Sequence, residues 1–153
     1  MSAAPFDDRD GSIWLDGSLI DYRDAKLHVL SHGLHYASAV FEGERLYNGS
    51  IFKSREHTER LLKSANVVGY EIPYKAEEIE KAKLQVIKAM GLVDGYIRPI
   101  AWRGTEMMGV SAQQNTIHLA ITAWDWPSYF DPDAKTKGIN LALSKWRRPA
   151  PDT

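Results

Sequence analysis

The chain has 153 residues, a length that suits one ordinary domain with a core of its own. Hydrophobic residues make up 44%, charged residues make up 25%, and the net charge is −1, which argues against a basic surface for nucleic acid or anionic membranes. The lack of cysteine excludes disulfides, thiolate metal sites and a cysteine nucleophile. The first twelve residues are acidic and polar, and no apolar run approaches the ~18 residues of a membrane helix. We therefore expect a soluble, cytoplasmic protein.

Two β-hairpins are predicted in the first third of the chain. Asp16-Gly17 separates a short strand over Ile13–Leu15 from one over Ser18–Ile20. A longer strand is predicted to begin near Leu34, in LHYASAVFEGERLYNG, and to turn back at Asn48-Gly49. Both dipeptides suit tight hairpin turns, whose central residues need positive φ.

Alternation along the longer strand assigns its side chains to two faces. One face carries Phe41, Gly43, Arg45 and Tyr47, and the other carries Val40, Glu42, Glu44 and Leu46. An aromatic ring, a glycine and a guanidinium in a row suit the floor of a site where a flat, anionic ligand approaches the backbone. A structural interpretation stays open, since a strand glycine often marks a bulge or close packing and an exposed arginine is often only solvated.

Two helices are predicted next. Ser54 is the expected N-cap of the first, apolar residues recur at helical spacing after it, and Gly69 is the expected stop. The second helix follows Pro73 and ends at Gly91.

Strands are predicted over Tyr96–Trp102 and Ile117–Ala123, with a polar loop between them. The order ββ-ββ-α-α-ββ predicts an α+β fold, a two-layer sandwich in which an antiparallel sheet is covered on one face by two helices. This small N-terminal domain would span residues 1–123. Prolines and aspartates predict an interdomain connector over 124–137. Apolar alternation then predicts the first strand of a truncated large cofactor-binding domain over 138–153.

Three cationic or phenolic side chains are candidates for binding an anion. Tyr96 and Arg98 share one strand face, and together they could donate three hydrogen bonds to a carboxylate. Alternatively, Arg98 pairs with an acid across the sheet. Pro99 predicts either an edge strand or a position that needs no ladder hydrogen bond. Arg60, on the first helix, either grips a phosphate or is merely solvated.

A metal site is not predicted. His32 and His35 lie three apart in SHGLH, but no third ligand stands at a suitable spacing.

Several motifs together carry a resemblance to a known family: SHGLHYASAVFEG, REHTERL, GYIRP, the MGV triplet and the W-x-x-Y segment. They resemble the fold-type IV pyridoxal-phosphate enzymes, and within these the branched-chain amino acid aminotransferases, over roughly Ile13 to the last residue. The resemblance implies a pyridoxal 5′-phosphate cofactor and amino transfer between L-leucine, L-isoleucine or L-valine and 2-oxoglutarate. It also implies a homodimer at least.

The resemblance implies roles for matching residues. Arg60 would bind the cofactor phosphate, Tyr96 would contact the substrate carboxylate, and Arg98 would bind the distal carboxylate of glutamate. Tyr36, Phe41, Gly43 and Tyr129 would line the substrate side-chain pocket, and Trp126 would close it. Arg45 would face the site, and Met108 and Val110 would lie in a loop packed against the neighbouring subunit's site.

The family's Schiff-base lysine would lie beyond Thr153, and none of the ten lysines present occupies its motif position. The resemblance therefore predicts that these 153 residues alone are inactive. Two alternatives stay open. One is a stand-alone, non-catalytic domain that dimerises or binds a small anion, and the other is a relative of the D-amino acid aminotransferases or aminodeoxychorismate lyases.

Overall fold

The fold is a seven-stranded antiparallel sheet with two long helices on one face, in a computed structural model that describes residues 5–126 and 136–150. The strands are β1 (Ser12–Leu15), β2 (Ser18–Asp21), β3 (Ala39–Phe41), β4 (Glu44–Tyr47), β5 (Ser50–Ile51), β6 (Gly95–Arg103) and β7 (Ile117–Trp124). The helices are α1 (His32–Tyr36), α2 (Ser54–Val67) and α3 (Ala76–Met90), with a 3-10 turn at Tyr22–Asp24. The sheet order is β2-β1-β7-β6-β4-β5, and β3 also pairs with β6. The predicted α+β two-layer sandwich is confirmed.

The core lies between α2, α3 and one face of the sheet, which we call the helix face. The odd-numbered residues Ile97, Leu119 and Ile121 of the central strands β6 and β7 are fully buried there. They pack against apolar side chains of the helices such as Leu61 and Ile79. Even-numbered residues of the same two strands form the opposite side of the sheet, the open face, because successive strand side chains alternate.

Both predicted hairpin turns are present. Asp16 and Asn48 adopt φ values of 45° and 48°, and each is followed by a glycine with positive φ. The predicted cap at Ser54 is wrong, since Lys53, with φ 55°, precedes the first helical residue. The Ser54 hydroxyl oxygen instead lies 3.4 Å from the Nζ of Lys83, and so points into the core.

The strand predicted from Leu34 begins five residues later. Leu34 and Tyr36 belong to α1, which ends at Ala37 in the left-handed conformation, φ 54°. The buried His32 ring holds this turn, with Nδ1 2.7 Å from the Ser38 hydroxyl and Nε2 3.0 Å from the Gly109 carbonyl. A short helix on the open face therefore takes the place of the first residues of the expected strand.

From Ala39 onward, β3 and β4 follow β6 in one register, with Ala39 opposite Trp102 and Glu44 opposite Ile97. The ladder is interrupted at Pro99, whose carbonyl accepts the Glu42 N–H at 3.0 Å but which has no N–H to return. The edge-strand prediction for Pro99 is wrong, because β6 is paired on both sides. Its alternative, a position without a ladder bond, is what the structure shows on this side.

A buried ionic network ties β4 to both long helices. The Nζ of Lys83, fully buried on α3, lies 2.7 Å and 2.9 Å from the two carboxylate oxygens of Glu44. It also lies 2.6 Å from the Thr58 hydroxyl and 3.0 Å from Glu80. Burial raises the pKa of Glu44, although Lys83 opposes this shift.

The described residues 138–150 contain no strand, and the start of a second domain over 138–153 stays a prediction. Leu141 and Leu143 are 87% and 101% exposed. A strand needs a paired neighbour to satisfy its backbone, and no described segment pairs with this one. The connector boundaries stay a prediction, since 127–135 lie outside the described residues. Among the described helices, none combines the length and apolarity needed to cross a membrane.

Candidate functional site

The open face carries a group of aromatic and cationic side chains that we call the aromatic–arginine cluster. Its members come from β3, β4, β6, β7 and the segments that adjoin them, and they are Phe41, Gly43, Arg45, Tyr96, Arg98, Trp124 and Trp126. Strand register brings them together, since Tyr96 lies opposite Arg45 on one side and opposite Trp124 on the other. Six of the seven are residues that the sequence predicts for the site.

Arg98 lies at the centre of this cluster. Its Nη2 donates to the Tyr96 hydroxyl at 3.1 Å. The guanidinium carbon lies 4.6 Å from the centroid of the Phe41 ring and 5.8 Å from that of Trp124. No carboxylate among the described residues pairs with it, so the alternative of a cross-sheet ion pair is not what the structure shows. Rings around a guanidinium favour its charge and fix its plane.

Gly43 leaves the space that the Tyr96 ring occupies. A Cβ at this position would overlap the Tyr96 hydroxyl and lie 2.7 Å from Cζ. Close packing, the alternative interpretation of this glycine, is therefore observed, and it positions the same tyrosine that contacts Arg98.

Trp126 closes one side of the cluster. Its ring centroid lies 4.5 Å from that of Tyr96 and 5.5 Å from that of Trp124. Arg45 holds the backbone here, because its Nη1 donates to the Trp126 carbonyl at 3.3 Å. The predicted wall residue Trp126 and the predicted site-facing Arg45 are thus in contact.

Two buried N–H donors in the cluster have no acceptor among the described residues: the Nε of Arg98 and the Nε1 of Trp124. A buried polar group without a hydrogen bond costs about 1–3 kcal/mol. Such a cost calls for an explanation, and a ligand that supplies the missing partner is one. The chemistry of this donor set, two N–H groups and a phenol beside a guanidinium, fits a carboxylate ligand.

Arg60 lies on the other side of β3 and β4, beside Glu42. Its Nε and Nη2 donate to the two oxygens of Glu42 at 2.5 Å and 2.6 Å. The side chain is still 64% exposed, and it lines a cavity of about 320 Å³ with Lys53, Glu56 and His57. A cationic, solvent-accessible arginine in a cavity fits a phosphate.

Three other predicted site residues lie apart from the cluster. Tyr36 stacks on His32, with ring centroids 4.5 Å apart. Met108 and Val110 lie in the 104–115 loop, and Val110 is 86% exposed.

Two further sequence predictions concern Tyr129 and the histidine pair. Tyr129 lies outside the described residues. His35, the second histidine of the possible metal pair, has its Nε2 2.9 Å from the Val29 carbonyl, so the two imidazoles have different partners.

Sequence reasoning misses Trp124 and Glu42 as parts of these sites. The predicted connector includes Trp124, although even spacing from Thr122 along a strand would have placed it on the open face. Alternation places Glu42 on the opposite face but gives it no role. Its position eighteen residues before Arg60 carries no local signal for their ion pair.

Comparison with known proteins identifies the family of this chain. The family model described as amino-transferase class IV matches residues 39–153. The chain belongs to the class IV aminotransferase family. Four of the five motifs that carry the resemblance lie within that range, and SHGLHYASAVFEG enters it at Ala39. The predicted membership is confirmed.

Among the curated relatives, a probable branched-chain-amino-acid aminotransferase of Rickettsia conorii is 46% identical over 141 residues, covering 92% of this chain and 47% of that protein. A branched-chain-amino-acid aminotransferase of Pseudomonas aeruginosa is 41% identical over 145 residues, with the same coverage of each chain. The chain therefore spans about half the length of the curated relatives it matches.

Among solved structures, the branched-chain amino acid aminotransferase from Escherichia coli superposes with a TM-score of 0.84 at 34% identity, covering 95% of this chain and 48% of that one. The branched-chain aminotransferase from the archaeon Thermoproteus uzoniensis, with norvaline, gives a TM-score of 0.82 at 38% identity, covering 92% and 48%. A third branched-chain amino acid aminotransferase, solved with pyridoxamine 5′-phosphate, gives a TM-score of 0.77 at 39% identity. The match covers 82% of this chain and 43% of that one. The fold matches the N-terminal domain of branched-chain aminotransferase structures.

Proposed function

We propose that this class IV aminotransferase chain is the small domain of a pyridoxal-phosphate enzyme that transfers the amino group between L-leucine, L-isoleucine or L-valine and 2-oxoglutarate. The observation that carries the proposal is the Arg98 Nε, buried without an acceptor among the described residues and inside an aromatic cluster. A dicarboxylate such as 2-oxoglutarate or glutamate would supply that acceptor. The relatives named above support the same chemistry.

In this proposal one pocket serves two kinds of substrate. Arg98 and Tyr96 receive a carboxylate, since a guanidinium and a phenol donate to it in complementary directions. Phe41 and Trp126 provide apolar surface for a branched side chain, whose complete burial is worth about 1.5–3 kcal/mol. Gly43 keeps the floor flat by leaving room for the Tyr96 ring.

The cofactor would be anchored by its phosphate at Arg60. Its role when bound is to stabilise negative charge at the substrate Cα as the proton there is moved. The exposed guanidinium of Arg60 and the cavity beside it fit a phosphate, as described above. The lysine chemistry lies outside these 153 residues in this proposal, so the chain by itself is expected to be inactive.

We place the 104–115 loop at a contact with a second copy of the protein. Its conformation is fixed from within, because Arg103 donates to the Ala112 carbonyl at 2.6 Å and Asn115 donates to the Met107 carbonyl at 3.1 Å. Val110 is nevertheless 86% exposed, and a pinned loop with an exposed apolar tip suits an interface. Met108 and Val110 would complete the partner's site in a homodimer.

The test is amino transfer by the protein that carries this chain, supplied with pyridoxal phosphate and 2-oxoglutarate. We expect activity on L-leucine and none on D-alanine, and a loss of activity in Arg98→Met. Activity on D-alanine instead would favour the D-amino acid branch. Absence of transfer and of cofactor binding would favour a non-catalytic domain. A polypeptide of these 153 residues alone serves as the inactive control.

A further inference from the structure

The Arg60 guanidinium has two edges that can each donate a pair of parallel hydrogen bonds, and only one is in use. Glu42 takes the side-on edge, formed by Nε and Nη2, at 2.5 Å and 2.6 Å. The end-on edge, formed by Nη1 and the second Nη2 proton, faces away from this carboxylate. Nη1 makes no hydrogen bond to another residue in the described part of the chain.

Glu42 is a rigid anchor for this contact. Its side chain is only 6% exposed, its N–H donates to the Pro99 carbonyl at 3.0 Å, and its second oxygen lies 2.8 Å from the Nδ1 of His57. Burial pushes the pKa of Glu42 up, but hydrogen bonds from Arg60 and His57 outweigh burial and hold the pKa below its usual value. The carboxylate is therefore charged at neutral pH.

The other groups of the cavity do not compete for the free edge. Lys53 and Glu56 pair with each other at 2.7 Å. The Nδ1 of His57 also lies 3.3 Å from the Nη2 of Arg60. A ring nitrogen that donates its proton to Glu42 cannot also accept a hydrogen bond from the guanidinium. The end-on edge of Arg60 is consequently a ready pair of donors beside a cavity, and a phosphate accepts such a pair in fork geometry.

We infer that Glu42 is a positioning residue that holds Arg60 by its side-on edge, so that the cofactor phosphate is received on the end-on edge. This inference rests on the proposed phosphate role of Arg60. It makes Glu42 and Arg60 a matched pair with a specific requirement for arginine. A lysine at position 60 would have one ammonium, whose three donors share a single nitrogen. Glu42 would draw that nitrogen to itself, and the phosphate would lose the planar pair of donors.

The experiment compares the dissociation constants of pyridoxal 5′-phosphate and pyridoxal, which lacks the phosphate, for the apo form of the protein that carries this chain. The ratio of the two constants isolates the phosphate contribution from the rest of the cofactor. The variants are Arg60→Lys, Glu42→Gln and the double variant. Glu59→Gln is the matched control, because it removes a carboxylate from the same helix that pairs with Arg55 and does not line the cavity.

We expect Arg60→Lys to reduce the preference for the phosphate form by about 10- to 100-fold, the loss of charge-assisted hydrogen bonds. Adding Glu42→Gln to Arg60→Lys frees the ammonium, and we expect it to restore about tenfold of that preference. Glu59→Gln should match the parent protein. In ¹⁵N NMR, inorganic phosphate should shift the Nη1 signal of Arg60 and leave its Nε signal in place. In Glu42→Gln the Nε signal should broaden.

The outcomes separate the inference from the proposed function. If the parent protein does not prefer the phosphate form, the phosphate role of Arg60 fails, and the inference falls with it. If the parent does prefer it but the double variant is as poor as Arg60→Lys, Glu42 does not compete for the cation and only the inference is overturned. A phosphate-induced shift of the Nε signal in the parent would also overturn it.

Discussion

On the helix face, the buried charges Lys83, Glu44 and Glu42 each lie within ion-pair distance of an opposite charge, whereas on the open face Arg98 and Trp124 each bury an N–H without an acceptor among the described residues. The same strands supply both faces. Glu42 and Glu44 project to one side, and the glycine between them lies on the other. The buried charges of the helix face are paired within the chain, whereas these two N–H donors of the open face are left for a ligand.

The largest loss of stability is expected when Lys83 is removed from the helix face. Lys83→Met would leave the buried Glu44 and the half-buried Glu80 without their cation, and losing one partner of a buried ion pair costs about 3–5 kcal/mol. We expect the free energy of unfolding in urea to fall by that amount. Lys81→Met, at an exposed position on the same helix, should change it by less than about 0.5 kcal/mol. Equal effects of the two variants would contradict a structural role for the network.

Filling the space at Gly43 tests how tightly the open face is packed. Gly43→Ala places a methyl group against the Tyr96 ring, and overpacking of this kind costs about 1–3 kcal/mol. We expect both a lower free energy of unfolding and weaker binding of 2-oxoglutarate, because Tyr96 must move. Gly109→Ala is the control for the stability measurement alone, since its Cβ would lie 4.0 Å from the nearest other atom but its loop belongs to the proposed contact with a second copy. An unchanged substrate affinity in Gly43→Ala would separate Tyr96 from the site.

Removing Arg98 from the open face should not lower the free energy of unfolding as removing Lys83 from the helix face does. Arg98→Met deletes a guanidinium with an unsatisfied donor, so the free energy of unfolding should stay within about 1 kcal/mol of the parent or rise. The affinity for 2-oxoglutarate should fall by about 10- to 100-fold, the loss of charged hydrogen bonds to a carboxylate. A stability loss above about 2 kcal/mol with unchanged affinity would make Arg98 a packing residue.

The smallest effect is expected at Pro99. Pro99→Ala provides an N–H that can complete the ladder to Glu42, a gain of about 0.5–1.5 kcal/mol. It also makes the unfolded chain more flexible, a loss of about 0.4–1 kcal/mol. We expect a net change below about 1 kcal/mol and a newly protected amide at residue 99 in hydrogen exchange. An unprotected amide there would show that the ladder gap has another cause.

Much of the sheet could be predicted because the decisive signals are local. Asp16-Gly17 and Asn48-Gly49 set their hairpins through the positive φ that each turn needs, and alternation assigns the side chains of the main strand to their faces. The start of that strand is missed because a buried imidazole fixes α1. His32 reaches Gly109, seventy-seven residues away, and no window around Leu34 contains that contact.

The candidate site divides in the same way. Tyr96 and Arg98 are predicted together because they are two apart on one strand. Trp124 and Glu42 are missed because their roles come from register and from pairing across the sheet. The strand predicted after Gly138 shows the limit of alternation, since its apolar residues have the pattern but no paired neighbour among the described residues.

Whether the open face receives the substrate is tested most directly by a crystal structure of the protein that carries this chain with pyridoxal phosphate and glutarate, an unreactive dicarboxylate. We expect a carboxylate of glutarate within about 3 Å of the Arg98 guanidinium and the Tyr96 hydroxyl, between Phe41 and Trp126. Glutarate bound elsewhere, with the Arg98 Nε still unpaired, would contradict it.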